Sequence, residues 1–280
     1  MIPPYLLPVL TRCVRIFFGI GMAGIGIQHF IYSDFRPVII PPAWPQWMHS
    51  PVLAYMIGAA IVIAGIFILL GKSTKAVSLM LGSFLLFCFL FIQCPYTLFV
   101  QPNSSAHLGL WTDPLKELAL SGGAFIIAGL SADTSAKYAL LTVAEKLIPF
   151  GKCFFSITLI AFGIDHFFYT EFVAALVPAW VPDHTFWAYL AGVSLIGSGV
   201  AIILKIKRRR IALLTSIMIF LWLIVLHIPR AIAEPYVAKG NEITSVFEAL
   251  AFSGIALGIV LMPKKKKDLS LYPIKPTAIA

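Results

Sequence analysis

The chain has 280 residues, 60% hydrophobic and 12% charged, with 21 Lys and Arg against 12 Asp and Glu. Soluble domains carry about 25% charged residues, so a single large soluble globule is excluded. The net charge of +9 is dispersed between apolar runs, which argues against a nucleic-acid partner.

Apolar runs of about 20 residues, the length that crosses a hydrocarbon core, recur along the chain. They fall at 11–31, 51–71, 76–96, 114–131, 151–169, 186–205, 211–230 and 245–262. A backbone inside a bilayer must satisfy its own hydrogen bonds, so eight helices are predicted. Barrel strands would be shorter and would alternate polar with apolar residues. The start, MIPPYLLPVLTRCVR, has prolines in its short apolar part and basic residues after it. That is unlike a cleaved signal peptide, and the first span is read as the targeting element.

The first span contains GIGMAG at 19–24, a literal G-x-G-x-x-G. A dinucleotide site needs a strand before these glycines, and here they lie within an apolar span. Gly19, Ala23 and Gly26 instead form a small-residue stripe for a neighbouring helix. The span ends in GIQHFIYSDF at 26–35, and the fifth span ends in GIDHFFYTEF at 163–172. The echo continues: PAW at 42–44 with 178–180, YMIG at 55–58 with YLAG at 189–192, QCPY at 93–96 with HIPR at 227–230. LALSGG at 118–123 aligns with LAFSGI at 250–255, so the offset drifts from 137 to 132. Landmarks kept in one order over this period predict an internal duplication.

Four spans per half give both halves the same orientation, as parallel repeats about an axis along the membrane normal. The fold class expected is all-α: a polytopic membrane protein of eight transmembrane helices in two tandem four-helix bundles. The first unit spans 1–131, a cytoplasmic linker 132–149, the second unit 150–262 and a basic tail 263–280. On this topology seventeen of the 21 basic residues fall on one side, leaving Arg36, Lys116, Arg230 and Lys239 on the other. The positive-inside rule then puts both termini in the cytoplasm of a plasma (inner) membrane, with the tail against anionic headgroups. Cys13, Cys88, Cys94 and Cys153 form no CxxC pair and no zinc spacing.

Several polar residues collect at the outer ends of the spans. His29 and His166 end spans 1 and 5, Gln93 and His227 end spans 3 and 7, and Lys116 and Glu117 open span 4. His29 follows Gly26 by three residues and His166 follows Gly163 by three, so both rings are expected to face helices rather than lipid. An ionisable group facing a bundle is a ligand or proton candidate. The alternative is a corner-fixing bond to the loop acid, Asp34 or Glu171. Trp44, Trp180 and Trp47 suit an interfacial aromatic belt or a ring-stacking ligand wall. Ser245-x-x-Glu248 reads as a capping box and Asp113-Pro114 as an N-cap with proline at the first helical position. Arg230 and Glu234 are spaced to pair across one turn. Haem is disfavoured because no helix pair supplies matched axial ligands, and no metal cluster is apparent.

The HF pair ending the first span, the IPP/VPAW loop, the glycine-bearing second span and the KELALSGGAF-like last span together resemble the DoxX-like membrane proteins. The resemblance covers about 15–131 and again about 151–262, and this chain departs from it in being duplicated and in replacing LKELALSGG by VFEALAFSG. It implies four-helix units and, by association with some relatives, quinone-linked chemistry or membership of a membrane redox complex. It carries no catalytic residue set. The leading expectation is an outer-side pocket in each bundle for a small apolar ligand, a quinone or a lipid. A small-molecule transporter and a ligand-free scaffold or assembly subunit remain as alternatives.

Overall fold

The computed structural model describes residues 3, 5–42, 44–101, 107–131 and 139–263. These residues form an all-helical chain, and seven helices are long and apolar enough to cross a bilayer, which marks a multi-pass membrane protein. The helices are α1 (Leu6–Tyr32), α2 (Pro51–Leu70), α3 (Thr74–Cys88), α4 (Thr112–Leu130), α5 (Ala139–Glu145) and α6 (Gly151–Phe168). They continue with α7 (Thr170–Leu176), α8 (His184–Ile203), α9 (Arg208–Trp222), α10 (Ile228–Ala233) and α11 (Asn241–Leu261). The fourth predicted span corresponds to α4, which bears Asp113, Lys116 and Glu117 in its first turns and is not one of the seven. The stretch 139–145 of the expected linker is α5, tied to α3 by the Lys75–Glu145 ion pair. Linker residues 132–138 and tail residues 264–280 lie outside the described residues.

Two of the long helices change pitch near their ends. α3 runs into a π-helical turn at Phe89–Gln93, and α9 into another at Leu223–His227. Prolines account for both: Pro95 and Pro229 have no N–H for the carbonyl one turn back, and the bonding slips to five residues. Thus Cys94 N–H donates to Phe89 O, and Ile228 N–H to Leu223 O. The slip rotates Gln93 and His227 relative to a straight helix.

Packing joins α1 to α2 and α6 to α8, then α3 to α4 and α9 to α11. The other large contacts cross between the halves: α1 on α11, α4 on α6, and α4 on α11. The sequence predicts two tandem four-helix bundles; in the packing the last helix of each half also supports the first helix of the other. Small residues explain the central pair. Ala119, Ser121, Gly122 and Ala124 on α4, and Ala251, Ser253, Gly254 and Ala256 on α11, admit neighbours on every side. The span ending in α11 is 72% buried over its most apolar stretch, against 28% for α1, α2 and α8. The outer helices show apolar faces to the surroundings, among them Ile20, Ile27, Met56, Ile63, Phe91 and Leu214, as lipid contact requires.

Hydroxyls fasten the centre in matched fashion. Ser121 Oγ donates to Gly82 O at 2.8 Å, joining α4 to α3, and Ser253 Oγ donates to Ser216 O at 3.0 Å, joining α11 to α9. Thr158 Oγ donates to Leu115 O at 2.7 Å, which locks α6 to α4 across the halves.

Candidate functional site

The echoed histidines sit where glycines thin the neighbouring helix. A Cβ added to Gly58 of α2 would come 2.7 Å from the His29 Cβ, and one added to Gly192 of α8 would come 2.9 Å from the His166 Cβ. Both rings make the same first bond. His29 Nδ1–H donates to Ile25 O at 2.9 Å, and His166 Nδ1–H donates to Phe162 O at 2.7 Å. A carbonyl can only accept, so in each neutral ring Nε2 is left as an acceptor.

Beyond that bond the halves diverge. In the first half Nε2 of His29 accepts the Arg36 backbone N–H at 3.4 Å, and the ring is fully buried. The segment Phe35–Ile40 folds inward, with Phe35, Val38, Ile39 and Ile40 buried. Gln93 Nε2 donates to Pro37 O at 2.7 Å. The Arg36 guanidinium, 1% exposed, donates to Thr244 Oγ1 at 3.2 Å and Lys239 O at 2.8 Å, and lies 4.8 Å over the Tyr32 ring. In the first half this loop thus occupies the space beside His29 and Gln93.

In the second half the aligned residues are Val173-Ala174 instead of Arg36-Pro37. Proline disfavours a helix at the residue before it, whereas Val173-Ala174-Ala175 carries no such block. The stretch becomes α7, and the Val173 N–H is spent on Tyr169 O at 3.0 Å. A cavity of about 320 Å³ remains where the first half has its loop, at the low end of small-molecule sites. Its walls are apolar, from Leu159 and Phe162 of α6 through Trp187, Ala188 and Ala191 of α8 to Trp222 of α9. Its polar lining is Thr112, Lys116, His166, His227, Ser245 and Glu248. No hydrogen bond reaches the His227 ring among the described residues.

Lys116 and Glu248 meet at 2.9 Å in this lining, with Asp113 Oδ1 3.4 Å from the same ammonium. The capping-box expectation for Glu248 is thereby corrected. α11 begins at Asn241, a full turn earlier, and Ser245 Oγ bonds within the helix to Asn241 O at 3.2 Å. Asp113 is likewise no N-cap: α4 opens at Thr112 after Trp111, and Asp113 serves Lys116 from the first turn. Lys116 and Glu117 do not act as a pair, because consecutive helical residues point about 100° apart. Glu117 is fully buried, does not line the cavity, and neither of its oxygens has a hydrogen-bond partner among the described residues.

The remaining expected site residues lie elsewhere. Asp34 does not hold His29. It binds Lys239 Nζ at 2.9 Å and its neighbour Phe35 N–H at 2.8 Å, with His49 at 3.4 Å. Burial works against the Asp34 charge, but these hydrogen bonds outweigh it and hold the carboxyl below its ordinary range. Trp44 packs on Tyr96 with ring centroids 5.8 Å apart, while Trp180 and Glu171 are exposed. Arg230 makes a two-pronged contact with Glu242 at 3.0 and 2.8 Å, and Glu234 stands off at 3.7 Å. Of the expected set, His166, His227 and Lys116 converge on the cavity; His29, Gln93, Glu117, Asp34, Glu171, Trp44 and Trp180 do not. Arg36, which fills the first half, is the residue that sequence reasoning overlooked. Its signal was the Arg36–Val173 mismatch between the aligned phrases at 26–36 and 163–173.

Residues 155–260 match a family described as a domain of unknown function (DUF8561). That stretch holds every cavity-lining residue except Thr112 and Lys116. Neither curated proteins nor solved structures gave a match.

Proposed function

We propose that the protein is an eight-span membrane protein, made of two duplicated DoxX-like units, that holds one small apolar ligand in its second unit. The observation that carries this reading is the cavity of about 320 Å³, apolar along its walls and polar at the Lys116–Glu248 pair, His166 and His227. Walls of this kind receive a hydrocarbon body, and a few placed polar groups fix a head. Support for the duplication comes from equivalent contacts: α1 on α2 like α6 on α8, and Ser121 on the Gly82 carbonyl like Ser253 on the Ser216 carbonyl. The crossed pairing of α1 with α11 and α4 with α6 fits a twofold exchange of the halves. The positive-inside count supports cytoplasmic termini in the plasma (inner) membrane, and with them a cavity on the outer side.

A quinone or a lipid suits the space, and a place in a membrane redox complex follows from the DoxX-like resemblance by analogy. Gentle extraction into nanodiscs followed by mass spectrometry tests the reading. Wild type is expected to retain a discrete small molecule that Ala188→Phe, which projects into the cavity, lacks. Equal retention by both proteins would reject the site.

A further inference from the structure

The two halves supply an internal comparison that narrows the ligand, resting on the proposal that the second cavity is a binding site. In the first half the loop gives His29 Nε2 a donor, the Arg36 N–H at 3.4 Å, and gives Gln93 an acceptor, the Pro37 carbonyl at 2.7 Å. In the second half His166 stands at the His29 position, and its ring is held in the same way by Phe162 O at 2.7 Å. His227 stands at the Gln93 position. Both histidines line the cavity, and the loop groups that would satisfy them have been drawn into α7, where Val173 N–H bonds to Tyr169 O.

The other polar lining groups are largely committed. Lys116 serves Glu248 and Asp113, Thr112 Oγ1 donates to Gly109 O at 2.7 Å, and Ser245 Oγ donates to Asn241 O at 3.2 Å. Both hydroxyls are thus left facing a ligand as acceptors, like His166 Nε2. Two carboxylates already surround the one ammonium. A carboxylate ligand would meet mostly acceptors and an ammonium already neutralised.

We infer that the cavity selects an uncharged amphiphile whose head is a hydroxyl group, which donates to His166 Nε2 in place of the Arg36 N–H and accepts from His227 in place of the Pro37 carbonyl. A phenol, a hydroquinone and a lipid alcohol share this chemistry. An ether or a quinone carbonyl lacks the proton that His166 requires.

The test is equilibrium titration of the purified full-length protein in detergent, read by native mass spectrometry. The probes are p-nonylphenol, its methyl ether, n-nonanol and nonanoic acid. The phenol is expected to bind at least about tenfold more tightly than its methyl ether, the scale of one buried hydrogen bond, and more tightly than the acid. n-Nonanol distinguishes the sources: binding near the phenol's points to lipid alcohols, and binding near the ether's points to an aromatic hydroxyl. In His166→Ala the preference for phenol over ether should fall to within about twofold, while Ala188→Phe should lose saturable binding of all four. Equal binding of phenol and ether by wild type would overturn the hydroxyl inference and leave the cavity reading intact. Saturable binding of none of the probes would overturn both.

Discussion

Lys116 and Glu248 occupy aligned positions on α4 and α11, 132 residues apart in the sequence, and their side chains meet at 2.9 Å. An aligned position thus carries opposite charges in the two halves, and the crossed packing brings them together. Neither charge has an adequate solvent at that depth, so each depends on the other.

Removing one partner is expected to be costly. Lys116→Met leaves Glu248 buried beside Asp113 without its ammonium partner and should destabilise by about 3–5 kcal/mol. The double variant Lys116→Met/Glu248→Met should recover most of that loss, because an apolar pair leaves no buried charge behind. Thermal unfolding in detergent reads both. A double variant as unstable as the single would show that the pair contributes through packing rather than charge.

Arg36 and Val173 decide which half is hollow. Truncating Arg36 to Ala removes a buried guanidinium together with its bonds to Thr244 and Lys239. The expected loss is about 2–4 kcal/mol from the void and the unpaired acceptors. Val173→Met sends a longer apolar side chain toward the second cavity and should weaken probe binding with little loss of stability. Unfolding midpoints and native mass spectra of the two variants check this opposite pattern.

Asp34 links the corner after α1 to Lys239 at the approach to α11, and its pKa is lowered in the fold. A depressed carboxyl contributes stability that is present above its unfolded pKa, near 3.9, and is lost as pH falls through the lower folded value. Asp34→Asn should therefore cost about 0.5 kcal/mol near neutral pH, in keeping with a partly exposed ion pair. The difference from wild type should vanish below the ordinary carboxylate range. Denaturant titrations at neutral and acid pH measure it.

Much of the fold was legible because apolar length and helix-only backbone satisfaction are local properties. The span from 51 to 71 appears as Pro51–Leu70, and that from 186 to 205 as His184–Ile203. The repeated GIQHF and GIDHF phrases located two equivalent histidines and the glycines that admit them. The crossed packing was not legible, since LALSGG and LAFSGI state that α4 and α11 are small-faced without stating which helix they meet. Glu248 was misread because Ser-x-x-Glu fits a cap, and the earlier start of α11 at Asn241 is set by Gly240 in a left-handed conformation at φ 74°. The contrast between a filled and a hollow half lay in one dipeptide, Arg36-Pro37 against Val173-Ala174. Its meaning depends on where a loop goes in three dimensions.

The central claim is that two aligned halves differ in being filled and hollow, and a matched pair of substitutions tests it most directly. Ala54 of α2 and Ala188 of α8 precede the aligned YMIG and YLAG stretches and are 0% and 1% exposed. Ala54→Phe forces a ring into a packed core and should lower stability by about 1–3 kcal/mol. Ala188→Phe enters open space and should leave the unfolding midpoint unchanged or raise it. Equal destabilisation by the two phenylalanines, measured side by side by thermal unfolding, would contradict the account.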